Sequence, residues 1–234
     1  MIYRACRQWA IINLLVAVVV GGIGCNGIDT KITYLDPENA PKPGDKNWIA
    51  LFNGKDFTGW IQKQRNVPMS WKVVDGVMVN TALHGHPGTD IYTERKFDDF
   101  EIYYEYRIPP GSNSGVYLRG CYEIQILDSF GDKRKQNSKH INGAIYGLLA
   151  VPQSVSRKAG EWQTVYAKLA GKKLTVVLNG YQVFDNVELT RITPGGLGKD
   201  YSKSGPILIQ GNHGSVDFRT MMIRPIKCTA GNQT

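Results

Sequence analysis

The residues between positions 113 and 128, NSGVYLRGCYEIQILD, alternate between apolar and polar side chains. A period of two residues is typical of a β-strand with one buried face. The pattern predicts two short strands, 116–119 and 122–127, whose aliphatic residues enter a core together. The side chains on the opposite, polar side are Tyr117, Arg119, Glu123 and Gln125.

The connection between these two strands decides whether their polar sides coincide. A two-residue turn would place the aliphatic residues of one strand opposite the polar residues of the other. A three-residue connection at 120–122, or a β-bulge, pairs Arg119 with Glu123. The same connection pairs Tyr117 with Gln125. The resulting surface is either a binding site or an ordinary solvent-facing sheet with a cross-strand Arg–Glu pair.

Short strand patterns separated by turn residues recur along most of the 234-residue chain, which contains 26 Gly and 11 Pro. Asp75-Gly76 and Asn179-Gly180 are typical of two-residue hairpin turns. Because no segment has the periodicity of an amphipathic helix, we predict an all-β, jelly-roll sandwich of two stacked antiparallel sheets. The other predicted strands are 48–52, 71–74, 77–79, 100–108, 144–149, 162–169, 174–178, 181–184, 206–210 and 216–224.

The first residues of the chain have the features of an export signal. Arg4 and Arg7 supply the positive charge that precedes the apolar run 10–20, and small residues stand before Cys25. This run is shorter than the about 20 residues that a transmembrane helix requires. The segment resembles a bacterial lipoprotein signal, with Gly22 in place of the usual Leu, and Cys25 would then carry the lipid. Ordinary signal-peptide cleavage is the alternative.

These features divide the chain into four parts. They are a signal peptide 1–24, a tether 25–46 that contains Pro and charged residues, a β-sandwich domain 47–227 and a tail 228–234. We therefore expect an exported, membrane-anchored lipoprotein, either periplasmic or on the cell surface.

The formal charge of +8 is spread thinly, with its densest run at 133–135. Neither a basic helix, nor a zinc-ligand pattern, nor an RNA-binding aromatic motif accompanies it, so nucleic acid is not an expected partner. His84 and His86 could bind a metal, but no further ligand stands at a recognisable spacing. We therefore expect that no cofactor is required, and a divalent metal is left open.

The cysteines leave one pairing open. If the signal is removed and Cys25 is lipidated, Cys121 and Cys228 remain. An oxidising compartment would allow them to pair, but the sequence does not place their Cα atoms within the about 7 Å that a disulfide requires. Cys121 is not expected to be a nucleophile, because no neighbouring His marks it as an activated thiolate.

Glu123 and Asp128 are the carboxylates of the central strand pair, five residues apart. A regular strand puts them on opposite faces, whereas one β-bulge would bring both to the same face. Sandwich glycosidases use a comparable run of three acidic residues. Gln125 occupies the middle position here, which argues against double-displacement hydrolysis. Asp128 is either a catalytic residue or a turn former beside Ser129.

His213 lies between two glycines in 210–214, QGNHG, in a loop between two predicted strands. The glycines allow close backbone approach, and an imidazole can exchange a proton near neutral pH. His213 is therefore a candidate acid or base, with a loop-capping role as the alternative. Arg219 is a candidate substrate ligand, or else the partner of a carboxylate near Asp217.

Several stretches from about 48 to 226 together resemble the 3-keto-disaccharide hydrolase domain family, in family order. They are LFNGKDFTGW, WKVVDG, FDDFEIYYEYRI, NSGVYLRGCYEIQILD, GAIY, GEWQ, LNG and GPILIQGNHGSVDFR. Thr220 departs from the Asn that commonly follows Phe-Arg, and the segment after Pro152 lacks the Asn often found before Gly-Glu-Trp. The resemblance implies a concanavalin A-like β-sandwich, secretion or lipid anchoring, and cleavage of glycosides that are oxidised at C3.

In such a substrate the C3 ketone acidifies the C2 hydrogen. A base can then remove this hydrogen and expel the aglycone from C1, and water adds to the resulting enone. Under this resemblance, base or acid roles fall among Glu123, Asp128 and His213. Arg119 would stabilise the enolate or orient the sugar. The residues expected to bind sugar hydroxyls are Tyr117, Gln125, Tyr146 and Gln210.

Two other functions would use the same polar face. A non-catalytic, lectin-like carbohydrate-binding module would bind unoxidised glycans without a base. A conventional glycosidase would need the carboxylate pair that Gln125 interrupts. We expect a hydrolase of 3-keto-glycosides or 3-keto-disaccharides. The sequence specifies neither the sugar, anomer and aglycone of the substrate nor the oligomeric state of the protein.

Overall fold

The computed structural model describes residues 40–42, 44–83, 88–132, 137–198, 200 and 203–226. The expected signal peptide, Cys25 and most of the expected tether lie outside these residues, as do His84, His86 and Cys228. The predictions about lipidation, export and a Cys121–Cys228 bond therefore stay predictions. Within the described ranges, no helix is long and apolar enough to cross a membrane.

The described residues form strands connected by turns and loops. The strands are β1 (Ile49–Ala50), β2 (Trp60–Gln62), β3 (Trp71–Val74), β4 (Val77–Asn80), β5 (Ile91–Thr93), β6 (Phe100–Arg107), β7 (Asn113–Leu118), β8 (Tyr122–Leu127), β9 (Gln163–Ala170), β10 (Lys173–Leu178), β11 (Tyr181–Glu188), β12 (Leu208–Ile209) and β13 (Val216–Pro225). Every predicted strand except 144–149 is present. The bounds of 71–74 and 122–127 are as predicted, the ends of the others are shifted, and β2 and β5 were not predicted.

The strands form two antiparallel sheets that make a sandwich. The larger sheet has the order β11-β10-β9-β6-β13-β4-β3, with β1 paired to β13. The smaller sheet has the order β2-β5-β12-β7-β8. The predicted all-β, jelly-roll sandwich of two antiparallel sheets is therefore confirmed.

Strand alternation sends one face of each sheet into a shared core. On the smaller sheet, Val116 and Ile124 lie opposite each other on β7 and β8. Both are almost completely buried, as predicted. On the larger sheet, β6 contributes Ile102 and Tyr104, which are also fully buried. Removing this apolar surface from water supplies the main favourable free energy of folding.

The connection between β7 and β8 has the predicted length but begins one residue earlier, at 119–121. Consequently Tyr117 lies opposite Glu123. Two residues before Tyr117, Gly115 lies opposite Gln125. A register displacement of two residues keeps the same side chains on the same face, because the side-chain period of a strand is two. The polar face shared by the two strands is therefore retained, although the predicted pairs are wrong.

The segment 144–149 forms turns instead of the predicted strand, and these turns cover the free edge of β8. The backbone N–H of Gly143 donates to Gln125 O at 2.8 Å. The N–H of Tyr146 donates to Glu123 O at 3.1 Å. Gly143 has a φ of 82°, a left-handed conformation that interrupts a regular strand. The turns therefore place Tyr146 beside Glu123.

Arg119 is not part of the polar face, and its predicted pairing with Glu123 is wrong. Its φ of 52° places it in the turn after β7. Its guanidinium donates to Asp98 O at 2.7 Å and to Gly171 O at 2.8 Å. It also forms an ion pair with Asp99 at 2.6 Å, and its side chain is 2% exposed. Arg119 thus joins the start of β6 to the β9–β10 turn.

Replacing Arg119 with Met should lower the free energy of unfolding by about 3 kcal/mol, because it removes a buried guanidinium that donates to two backbone carbonyl groups and to the Asp99 carboxylate. Urea denaturation measures this change. The matched control is Arg219→Met, whose exposed ion pair with Glu105 should contribute less than about 1 kcal/mol. Equal losses in the two variants would contradict a structural role for Arg119.

Candidate active site

The outer face of the smaller sheet carries a pocket of about 220 Å³. The pocket is formed by β7 and β8, by the end of β12 and by loops that reach over them. Pockets for drug-sized ligands enclose about 300–1,000 Å³, so this pocket suits a ligand, or part of a ligand, that is smaller than a drug-sized molecule. The lining residues are Asn113, Tyr117, Glu123, Gln125, Tyr146, Pro194, Gly195, Gln210 and His213.

The pairing of β12, β7 and β8 brings the central residues of the pocket together. Tyr117 lies between Leu208 on β12 and Glu123 on β8. The N–H of Gln210, just after β12, donates to Gly115 O at 2.9 Å. Since Gly115 lies opposite Gln125, the sheet aligns three strands across the pocket floor.

Glu123 is the buried carboxyl group of the pocket, with an exposed fraction of 3%. The hydroxyl of Tyr117 lies 2.8 Å from Glu123 Oε2 and 3.0 Å from Pro194 O. It has a single proton and can donate to one of these acceptors at a time. When Glu123 is protonated, it can donate to Tyr117, which then donates to Pro194.

Gly115 provides the space that the Glu123 side chain occupies. A Cβ atom at Gly115 would overlap Oε1 of Glu123 and would lie 2.8 Å from its Cγ. A side chain at this position would therefore displace the carboxyl group. Glycine is therefore required at position 115, because the Glu123 side chain lies against its backbone.

Burial raises the pKa of Glu123 from its ordinary value of 4.5 to about 7. The hydrogen bond from Tyr117 opposes this rise and the negative charge of Asp90 contributes to it, so that about 7 is the net result. A carboxyl group with a pKa near neutrality can accept and release a proton under physiological conditions. The same burial raises the pKa of Tyr117 well above its ordinary value, so Tyr117 stays protonated.

Two further polar side chains of the pocket surround the carboxyl group. In the amide orientation that satisfies its neighbours, the nitrogen of Gln125 donates to Ser114 O at 3.0 Å and to Glu123 Oε1 at 3.2 Å. The ring of Tyr146 meets the ring of His140 edge to face, with centroids 4.8 Å apart. Gln125 therefore contacts Glu123 directly, and Tyr146 forms part of the pocket wall.

His213 lies at the exposed side of the pocket, in the loop that follows β12. Its Nδ1 lies 2.5 Å from Oδ1 of Asn212. This contact orients the ring and leaves Nε2 available to a bound molecule. Six of the sequence-predicted site residues thus line one pocket: Tyr117, Glu123, Gln125, Tyr146, Gln210 and His213.

Residues 47–224 match the family model of the 3-keto-alpha-glucoside-1,2-lyase-like domain, which spans most of the chain. The chain belongs to this family. The resemblance inferred from the sequence is therefore confirmed, and the pocket lies within the 3-keto-alpha-glucoside-1,2-lyase-like domain.

A curated relative and two solved structures are similar to this domain. The 3-keto-disaccharide hydrolase of Bacteroides thetaiotaomicron is 29% identical over 178 residues, which are 63% of this chain and 60% of that protein. The chain therefore spans about 60% of that relative's length. A crystal structure assigned as a glycosyl hydrolase from Parabacteroides distasonis is 26% identical, with a TM-score of 0.62, over 77% of this chain and 84% of that chain. A second such structure from Parabacteroides distasonis is 28% identical, with a TM-score of 0.58, over 76% and 99%.

Two other sequence-predicted residues of the 3-keto-alpha-glucoside-1,2-lyase-like domain lie outside the pocket. The carboxylate of Asp128 accepts the N–H of Gly111 at 2.9 Å. Since β7 and β8 pair without a bulge, Asp128 ends β8 as a turn former and does not join Glu123. Arg219 pairs with Glu105 on the larger sheet, and its guanidinium lies 4.3 Å from the ring of Trp162. Neither residue is placed to contact a ligand of this pocket.

Three residues of the pocket lining were not predicted from the sequence. Asn113 begins β7, inside the stretch that was recognised from its alternation, and the same alternation could have identified it. Pro194 and Gly195 come from a loop distant in sequence. No local pattern places that loop above β7, because Tyr117 binds it through a tertiary hydrogen bond.

The metal site left open by the sequence stays untested. Among the described residues, no group of three or more His, Cys, Asp or Glu side chains is arranged to hold a metal ion. Among the residues that line the pocket, Glu123 and His213 are of types that bind metal ions, and they are not part of such a group.

Replacing Gly115 with Ala should lower the free energy of unfolding by about 2 kcal/mol, since the added methyl group displaces the Glu123 side chain. In a Glu123→Ala background the same replacement should cost less than about 0.5 kcal/mol, since the overlapping atoms are absent. Urea denaturation of the four proteins measures this difference. The same cost in both backgrounds would show that Gly115 has another role.

The raised pKa of Glu123 predicts a pH dependence of stability. The folded protein binds this proton more tightly than the unfolded chain, so the stabilisation is complete below pH 4.5 and is lost as the pH rises through about 7. Unfolding free energies of the wild type and of Glu123→Gln should therefore diverge by about 3 kcal/mol over this window, with the wild type losing stability. Parallel pH profiles would contradict the raised pKa.

Proposed function

We propose that this 3-keto-alpha-glucoside-1,2-lyase-like domain cleaves glycosides oxidised at C3, by elimination across C1 and C2 followed by addition of water. The family description and the name of the Bacteroides thetaiotaomicron relative support this substrate class. The pocket supports it independently, because it combines one buried carboxyl group with several neutral hydrogen-bonding side chains.

The observation that carries the proposal is that Glu123 is the sole carboxylate among the described residues lining the pocket. Conventional glycosidases need two carboxyl groups, about 5–9.5 Å apart, on either side of the scissile bond. Asp128, the second carboxylate expected from the sequence, binds Gly111 elsewhere. Elimination needs one base, and a carboxylate with a pKa of about 7 is well suited to remove an acidified C–H proton near neutral pH.

In the first step, Glu123 takes the proton from C2. The electron pair of the C2–H bond forms a double bond between C1 and C2, conjugated with the C3 ketone. The C1–O bond breaks, and its electron pair leaves with the aglycone oxygen, which takes up a proton. In the second step, water adds its hydroxyl to C1 and a proton to C2, which gives the free 3-keto sugar.

The other pocket residues can assist these steps by donating a proton or a hydrogen bond. His213 stands at the open side of the pocket, where its ring can donate a proton to the departing aglycone oxygen. The amides of Asn113, Gln125 and Gln210 can bind the sugar hydroxyls and the oxygen that becomes negative. Arg119 has no such role, since it is bound to Asp99 outside the pocket.

Glu123→Gln should lower kcat/KM on a 3-keto-glucoside by at least about 100-fold, because the amide cannot accept the C2 proton. Release of the aglycone is followed for a panel of 3-keto-glucosides and for the unoxidised parent glucosides. In the wild type, kcat/KM should rise as the pH increases through about 7, because deprotonated Glu123 is the active form. Arg219→Gln, a change outside the pocket, is the control that should retain activity.

The same panel separates the proposal from its main alternative. A lectin-like module would bind the unoxidised sugars and release no aglycone from either series. A conventional glycosidase would cleave the unoxidised parents. If Glu123→Gln retained the turnover of the wild type, Glu123 would not be the base of the reaction.

A further inference from the structure

Asp90, just before β5, is a buried carboxylate that does not line the pocket, and it is 3% exposed. Its Oδ1 accepts the N–H of Gly211 at 3.0 Å. Its Oδ2 accepts Lys63 Nζ at 3.0 Å and Gln64 Nε2 at 3.3 Å. Both oxygens therefore have donors, and Asp90 holds the chain at the point where it leaves β12 toward His213.

Asp90 precedes β5 and Glu123 lies on β8, with β12 and β7 between these strands in the sheet. Asp90 binds the N–H of Gly211, the second residue after β12. The preceding residue, Gln210, is hydrogen bonded to Gly115 on β7. The Glu123 carboxyl group lies over Gly115. The charge of Asp90 accordingly acts on Glu123, as one of the causes of its raised pKa.

Lys63, which follows β2, connects Asp90 to the pocket wall. Its Nζ donates to Asp90 Oδ2 and to Gly195 O, each at 3.0 Å. The side chain of Lys63 is 26% exposed, compared with 4% for Asp90. Because the ammonium group is partly in water, it neutralises only part of the field that Asp90 exerts inside the protein.

We propose that Asp90 and Lys63 are positioning residues that act through Glu123: the charge of Asp90 makes Glu123 a stronger base, and Lys63 limits this effect. The catalytic consequence rests on the function proposed above, whereas the coupling between the charges does not: it is supported by the hydrogen bonds that join Asp90 to Gly211 and Gln210 to Gly115, over which Glu123 lies. The pair also holds two pocket loops, through Gly211 and Gly195.

Asp90 is the carboxylate whose charge acts on Glu123. The other polar and titratable groups of the pocket and its wall include no second carboxylate among the described residues. Among them are Tyr117 from β7, Gln125 from β8, Tyr146 from the edge segment, His213 from the loop after β12, and Lys63 from the residues after β2. A change of charge at Asp90 therefore alters the field at Glu123 more than it alters any hydrogen bond of Glu123.

The titration of Glu123 can be measured without substrate, by NMR of the full chain carrying ¹³C-labelled glutamate. The Glu123 carboxyl signal is identified by its absence in Glu123→Gln. Asp90→Asn should lower the titration midpoint by about one pH unit, since it removes a negative charge and leaves Lys63 in place. Lys63→Gln should raise the midpoint by about half a unit, since the charge of Asp90 is then uncompensated.

The matched control is Asp217→Asn, which breaks the Arg107–Asp217 ion pair, 2.8 Å long, on the larger sheet. It should leave the Glu123 midpoint unchanged. The proposal would be overturned if Lys63→Gln left the Glu123 midpoint unchanged. It would also be overturned if Lys63→Gln and Asp90→Asn moved this midpoint in the same direction. If Asp90→Asn does not fold, Lys63→Gln alone decides, because this residue is partly exposed.

The kinetic measurement distinguishes this proposal from the proposed function. On a 3-keto-glucoside, the pH profile of kcat/KM should shift in Asp90→Asn by the same amount as the NMR midpoint. Opposite midpoint shifts in a protein that cleaves no 3-keto-glucoside would support the charge coupling and refute the proposed function. A pH profile that stays in place while the midpoint moves would refute the role of the pair in catalysis.

Discussion

The burial of the Glu123 carboxyl group is the constraint on which the rest of the site depends. Removing a carboxylate from water without partners costs several kcal/mol. The structure offsets this cost with a hydrogen bond from Tyr117, and Gly115 leaves room for the side chain. The remaining cost appears as the raised pKa. Burial therefore lowers the stability of the folded protein when Glu123 is ionised, and it also makes Glu123 a stronger base.

Each neighbour of Glu123 is held by a different part of the sandwich. Tyr117 is directly across from it on β7, and Tyr146 reaches it through turns that bind the edge of β8. The end of β12 is fixed from the other side by Asp90. The pocket thus depends on the smaller sheet as a whole, while the larger sheet supplies the opposite half of the core. Such an arrangement keeps the carboxyl group fixed because its support comes from regular strands.

Much of the site follows from strand alternation, and its failures have physical reasons. Tyr117, Glu123 and Gln125 share a face because a register change of two residues preserves parity. The location of the turn, however, decides whether Arg119 belongs to the strand. Because the turn begins one residue earlier than predicted, Arg119 belongs to the turn and has a left-handed conformation. Its guanidinium then binds Asp99 and backbone carbonyl groups outside the pocket. Asp128 follows the last residue of β8, and because β7 and β8 pair without a bulge it does not join Glu123.

The sequence by itself determined the sandwich class, most strands and the polar face that carries Glu123, because hydrophobic periodicity and turn residues are local properties. Tertiary structure alone decided which side chains close the pocket. The Pro194–Gly195 loop, the turns around Tyr146 and the Asp90–Lys63 pair come from segments distant in sequence. Their approach depends on the order of strands in the smaller sheet and on hydrogen bonds between loops, which no local pattern encodes. The basicity of Glu123 was likewise decided there, since burial and the charge of a distant residue produce it.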